Sequence, residues 1–123
     1  MTHGMGINGG DFVLTLLAEA MRDDYEVHII SSTDGPLRKK ILSLGCVVVT
    51  DEYLLMTTLS ESEWISAYDL VFVNGAIFHS LFTGDLSALK TPVVWWIHSS
   101  VSMNSEIMLQ SVEGRTSQGR VSV

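Results

Sequence analysis

At 123 residues and 46% hydrophobic content, the chain has the length of one domain with one ordinary core, and it contains no run of the roughly 18 apolar residues that a bilayer crossing needs. Seven Lys and Arg against 14 Asp and Glu give a net charge of −7, which works against nucleic acid because phosphate binding relies on clustered basic side chains. Cys46 is alone, which excludes an internal disulfide and a Cys-rich zinc site. The opening Met1-Thr2-His3-Gly4-Met5-Gly6 lacks the basic and apolar regions of a signal peptide, and with the lone thiol this points to a reducing, cytoplasmic setting. The mean hydropathy of +0.30 reads as buried strands and helix faces, or as apolar surface that a partner or a second copy covers; it does not assign peripheral membrane association.

In chain order, a Gly-rich loop, Gly4-Met5-Gly6-Ile7-Asn8-Gly9-Gly10, opens into a helix over 11–23 whose apolar face carries Val13, Leu17 and Met21 with Leu14, Leu16 and Ala20 nearby. Val27-His28-Ile29-Ile30 reads as a strand. Ser32-Thr33-Asp34-Gly35-Pro36 is a turn that launches a second helix, capped by Asp34 or Gly35 with Pro36 in its first position. Leu37, Ile41 and Leu44 share a face of that helix and Gly45 terminates it. The basic run Arg38-Lys39-Lys40 reads as its solvated side.

Val47-Val48-Val49 reads as a short buried strand, and in 50–67 a short helix through Tyr68 could be capped by Ser60 or Ser62. Asp69–Asn74 is the next strand. A helix from Ala76 follows, interrupted near Gly84-Asp85 before Leu86–Lys90. Thr91–His98 is a further strand, and a helix through Gln110 closes the pattern. Apolar strands alternating with helices imply an α/β domain over 1–110 with a doubly wound, mostly parallel Rossmann-like sheet. The polar stretch 111–123 reads as a disordered tail. No strand is expected ahead of the Gly-rich loop, so the sheet must reorder, leave a gap or take a strand from elsewhere.

Chemistry gathers at two places. The loop ending in Gly9 and Gly10 allows close backbone approach and presents a helix N-terminus, although Asp11 would repel an anion there. It matches neither a phosphate-cradling loop with Gly-Lys-Ser/Thr nor a dinucleotide fingerprint, and on its own it reads first as a plain flexible loop. His98 closes a strand at the edge where ligands of open α/β sheets collect; it reads equally as a proton donor or acceptor and as a strand cap. Asn74 ends the preceding strand and His3 begins the loop, so both could reach the same edge. His28 and His79 read as structural, and the histidines have no metal-ligand spacing, so no metal is expected.

Four stretches in order resemble GT-B glycosyltransferases, in particular glycosyltransferase family 4. Thr2-His3-Gly4 with Gly9-Gly10 is like that family's first loop, and Asp34-Gly35-Pro36-Leu37 with Leu44-Gly45 and Val47–Val49 is similar to its D-G-P-L…L-G-V-x-V stretch. Asp69-Leu70-Val71-Phe72-Val73-Asn74 looks like its D-L-V-x-x-N strand, and Pro92–His98 resembles its P-V-V-W-W-I-H-E strand. The resemblance covers residues 2–100 and implies an N-terminal, acceptor-side domain of a retaining enzyme that transfers sugar from a nucleotide-sugar to a sugar or glycan acceptor, with no required metal or other cofactor. By the same resemblance the loop at Gly9 and Gly10 approaches the donor phosphates, and His98 lies beside the reacting sugar. His3 and Asn74 are taken as further substrate-binding residues on their place at the strand ends.

The chain departs from the family at Ser99, where a Glu is expected, and at Asp11, where a small residue is expected. It also lacks the opening strand and the second domain with its paired glutamates and nucleotide pocket, and beyond Ser105 the likeness ends, as in an unrelated or frame-shifted end. The expectation is a partial glycosyltransferase, inactive alone. An alternative is a nucleotide- or sugar-binding Rossmann-like module acting with a partner chain. A small oxidoreductase is a third reading, weakened by Ser31-Ser32 where an acidic ribose-binding residue would stand.

Overall fold

The computed structural model describes residues 1–97 and 121–122, which divide into two compact units, Met1–Leu54 and Leu55–Val123. The first is a mixed α/β piece, and the second combines 3-10 segments with strands among its described residues; in both the short strands pair in parallel. His98, most of the tail 111–123 and the helix expected through Gln110 lie outside the described residues.

In the first unit, helix α1 (Gly9–Met21) is followed by strand β1 (His28–Ser31), helix α2 (Arg38–Ser43) and strand β2 (Val47–Thr50). β1 and β2 pair in parallel from His28 opposite Val47 to Ser31 opposite Thr50. α1 begins at the glycines, because Asn8 with extended backbone accepts the Asp11 N–H on its side chain. The buried stripe of α1 is Asp11, Leu14, Thr15 and Ala18, with the expected Val13, Leu17 and Met21 half-buried along its flank. Leu14 and Ala18 join Met5, Ile29, Ile41, Leu44 and Cys46 in one core, against which Val27, Leu37 and Val48 pack.

Two expectations change here. α2 starts two residues after Pro36 and has no side-chain cap, because the Asp34 carboxylate accepts the N–H of its own neighbour Gly35 at 2.7 Å. β2 is not buried: Val48 faces the core, whereas Val47 and Val49 alternate to the opposite face and remain 44% and 47% exposed. The expected stop is present at Gly45, whose φ of +83° is a left-handed conformation that glycine adopts without a Cβ clash.

In the second unit, three short 3-10 segments (Leu54–Met56, straddling the boundary, Leu59–Glu61 and Glu63–Ala67) occupy the stretch where one short helix was expected. Ser62 precedes the last of them, but its hydroxyl donates to the Thr58 carbonyl and caps nothing. Strand β3 (Val71–Asn74) leads into a kinked 3-10 segment, Ala76–Phe82, and strand β4 (Val93–Trp96) lies parallel to β3 with Asn74 opposite Trp96. The two-residue strand β5 (Val121–Ser122) pairs in parallel with the start of β4. Residues 86–90 form a turn, closed by the Leu89 N–H on the Leu86 carbonyl, and not the expected helix. Five residues leave room for little more than that one bond, so the costly first helical turn is not followed by propagation.

Trp95 organises this unit. Its ring is 1% exposed and stacks on Phe82 with centroids 4.3 Å apart, while its indole N–H donates to the Gly75 carbonyl at 2.9 Å. One side chain therefore ties β4 to the turn after β3 and to the segment that follows. Trp95→Phe retains most of the packing but leaves the Gly75 carbonyl unpaired, for an expected loss of about 1–2 kcal/mol. Trp95→Ala also opens a cavity and is expected to cost about 3–5 kcal/mol. Urea unfolding of both variants checks this order, and equal losses would remove the role given to the indole N–H.

The α-amino group of Met1 is fully buried, and burial pushes its pKa from 8.0 down to about 5. Between those values the amine is neutral in the fold and protonated once unfolded, so unfolding takes up a proton. Stability should therefore rise with pH across that window and be insensitive to this group outside it. Urea midpoints at about pH 5.5 and about pH 8, compared with those of an Nα-acetylated chain, isolate the effect: the difference between the two chains should shrink as pH rises. A pH-independent difference would contradict the burial of a neutral amine.

Candidate functional site

The carboxyl end of β1 is built from segments far apart in sequence. The Thr2 N–H donates to the Ile30 carbonyl at 2.9 Å, and the Ser32 N–H returns to the Thr2 carbonyl at 3.2 Å, so Thr2 forms a parallel bridge with Ser31. The neighbouring Ser31 carbonyl faces the other way and accepts from Asp51, beyond β2. Carbonyls of one strand alternate sides, so Thr2 lies on the side of β1 away from β2. The expected gap ahead of the Gly-rich loop is thus filled by one rung.

The loop itself is fastened, contrary to its reading as a plain flexible segment. Met5 is 0% exposed within the core, and its carbonyl accepts the Leu37 N–H at 3.0 Å, satisfying a donor just ahead of α2. That contact brings the Met5 carbonyl so close to Gly35 that a Cβ there would lie 2.3 Å from its oxygen. Asp11 supplies the second anchor. Its buried carboxylate accepts from the Gly6 N–H at 2.8 Å and from Asn8 Nδ2 at 2.7 Å, with Thr2 Oγ1 at 3.4 Å.

A set of hydroxyls surrounds His3 beside this anchor. His3 Nδ1 lies 2.7 Å from Ser32 Oγ, and the His3 carbonyl accepts from Ser32 Oγ at 2.6 Å, Thr33 Oγ1 at 2.9 Å and the Thr33 N–H at 3.1 Å. Ser31 Oγ donates to the Thr33 carbonyl at 2.7 Å. Thr2, Ser31 and Ser32 are buried while the His3 side chain is exposed, so a satisfied polar floor carries one accessible imidazole.

Of the site residues expected from sequence, His3, Gly9 and Gly10 belong to this unit. Gly9 and Gly10 are the first two residues of α1, and a Cβ on Gly9 would meet nothing within 4 Å. Asn74 belongs to the second unit, at the carboxyl end of β3; it is buried at 5% exposure and so is part of the strand end and not a presented side chain. His98 lies outside the described residues. Thr2, Ser32, Thr33 and the internal role of Asp11 were missed, although a run of three hydroxyls after a strand is a usable signal for a polar strand end.

Asp11 also sets the electrostatics. It fills the first turn of α1 with negative charge, which opposes a phosphate at that helix end. Arg38, the first residue of α2, is engaged with Asp34 at 3.7 Å and Thr50 at 3.1 Å. Among the described residues no group of three or more His, Cys, Asp and Glu is placed to hold a metal ion, and no helix is long and apolar enough to cross a membrane. The lone thiol, Cys46, is buried in the core, and burial raises its pKa.

No protein-family model, curated protein or solved structure matches the chain.

Two glycines separate structural from non-structural demand in this region. Gly35→Ala forces a backbone clash with Met5 and is expected to cost about 2 kcal/mol or more, whereas Gly9→Ala meets open space and should change stability by less than about 1 kcal/mol. Thermal unfolding of the two variants checks this; an innocuous Gly35→Ala would mean that the loop and turn are not in contact.

Proposed function

We propose that this chain supplies an acceptor-holding part of a nucleotide-sugar-dependent glycosyltransferase of the GT-B kind. The observation that carries the reading is the order of four stretches, Thr2–Gly10, Asp34–Val49, Asp69–Asn74 and Pro92–His98, which resemble glycosyltransferase family 4. The fold that goes with it is a doubly wound Rossmann-like sheet. The parallel pairs β1–β2 and β3–β4 are the kind of piece such a sheet needs, which supports the reading without deciding it.

The chemistry at the carboxyl end of β1 favours the acceptor side. A buried carboxylate at the start of α1 disfavours a diphosphate, while hydroxyls and an imidazole suit an uncharged, hydroxyl-rich ligand. In this reading residues 2–100 hold the acceptor, and transfer is not expected of them by themselves.

Titration of the isotopically labelled chain with mono- and oligosaccharides, and separately with nucleotide-sugars, tests this. Sugars should shift amide signals within residues 2–10 and 31–35, and no transfer to an added acceptor should be seen. Transfer by the purified chain would overturn its inactivity alone. Tight nucleotide binding with no response to sugars would favour the nucleotide-binding module instead.

A further inference from the structure

The hydroxyl of Ser32 has one proton and two close neighbours, the His3 carbonyl oxygen at 2.6 Å and His3 Nδ1 at 2.7 Å. A carbonyl oxygen can only accept, and two oxygens at that separation with no proton between them repel. The Ser32 proton therefore lies on the carbonyl side, even though Thr33 already donates there twice. Ser32 Oγ then has only lone pairs to offer the imidazole, so the proton in that second contact must belong to Nδ1.

We infer that Ser32 holds neutral His3 as the Nδ1–H tautomer, so that the exposed ring presents Nε2 as an acceptor for a sugar hydroxyl. Ser32 is a positioning residue, and the atom that meets the ligand is His3 Nε2. For the neutral ring the tautomer follows from that proton count, whereas the ligand rests on the acceptor-side reading above. An unprotonated ring nitrogen is an acceptor, so it invites a hydroxyl donor and not an anion. The exposed imidazole stands on a floor of buried, hydrogen-bonded Thr2, Ser31 and Ser32, so its orientation is preset.

Long-range nitrogen–proton correlation spectra of the full chain at about pH 8, where an ordinary imidazole is neutral, read the tautomer directly. His3→Gln assigns the His3 signals among the four histidines. The expected result is a protonated Nδ1 and a bare Nε2, and Ser32→Ala should shift His3 toward the Nε2–H form that predominates in a free imidazole. Ser32→Thr, which keeps the hydroxyl, should restore the first pattern. Adding glucose, mannose or N-acetylglucosamine should then move the Nε2 resonance, and Ser32→Ala should weaken that binding by about threefold to tenfold.

A wild-type His3 protonated on Nε2 overturns the inference and leaves the acceptor-side reading standing; the tautomer is read on the wild-type chain, and His3→Gln serves only to assign the signals. Sugars that bind elsewhere without moving Nε2 overturn the ligand half of the inference and keep the reading. Failure of every sugar and nucleotide-sugar to bind overturns that reading while the tautomer stands or falls on its own spectrum.

Discussion

A carboxylate taken out of water must have its lone pairs filled, and in this chain that requirement on Asp11 orders the whole first unit. Its oxygens draw in the Gly6 N–H at 2.8 Å and the Asn8 side-chain amide at 2.7 Å, with the Thr2 hydroxyl between Asp11 and the Gly4 carbonyl. The loop is thereby curled over the start of α1, which sends Met5 into the core and its carbonyl to Leu37. With the loop set, Thr2 lies along β1 and His3 comes to rest on Ser32. Local charge, loop shape and strand edge thus share one cause.

The same carboxylate constrains chemistry. A glycine-rich entry to a helix is ordinarily a place for phosphate, since its N–H groups and dipole favour negative charge. Here Asn8 already accepts the Asp11 N–H, and Asp11 places a full negative charge within the first turn. What remains attractive at this edge is hydrogen bonding to neutral polar groups. That disfavours an anion at this edge and favours an uncharged ligand that hydrogen-bonds.

Periodicity made the larger elements legible. The apolar runs at β1, β3 and β4 and the helix after Gly10 are all present, and Gly45 ends α2 as its position suggested. What sequence did not show was decided by groups distant along the chain. The N-terminus of α2 is shaped by the Met5 carbonyl and by Asp34 turning onto its own neighbour, so no cap pattern could reveal its start. Val47 and Val49 look buried by composition, yet burial of a strand depends on what covers each face. The pairing of His3 with Ser32 spans 29 residues and exists only because Thr2 joins β1. Asn74 was correctly placed at a strand end, but being at the end did not make it accessible.

Asn8 precedes Gly9, a pair whose chemistry has a slow clock. With no side chain on the following residue, the Gly9 amide nitrogen can attack the Asn8 carboxamide, expel ammonia as a succinimide forms, and leave aspartate or isoaspartate after hydrolysis. In the folded chain that carboxamide is held at both ends, its oxygen by the Asp11 N–H and its nitrogen by the Asp11 carboxylate, which restrains the attack. Ageing at this bond would convert the donor 2.7 Å from Asp11 into a second carboxylate. Two like charges at that distance cannot both stay ionised at low cost, so the loop that encloses them would open. The durability of the folded edge and the chemical lifetime of one amide are therefore the same property.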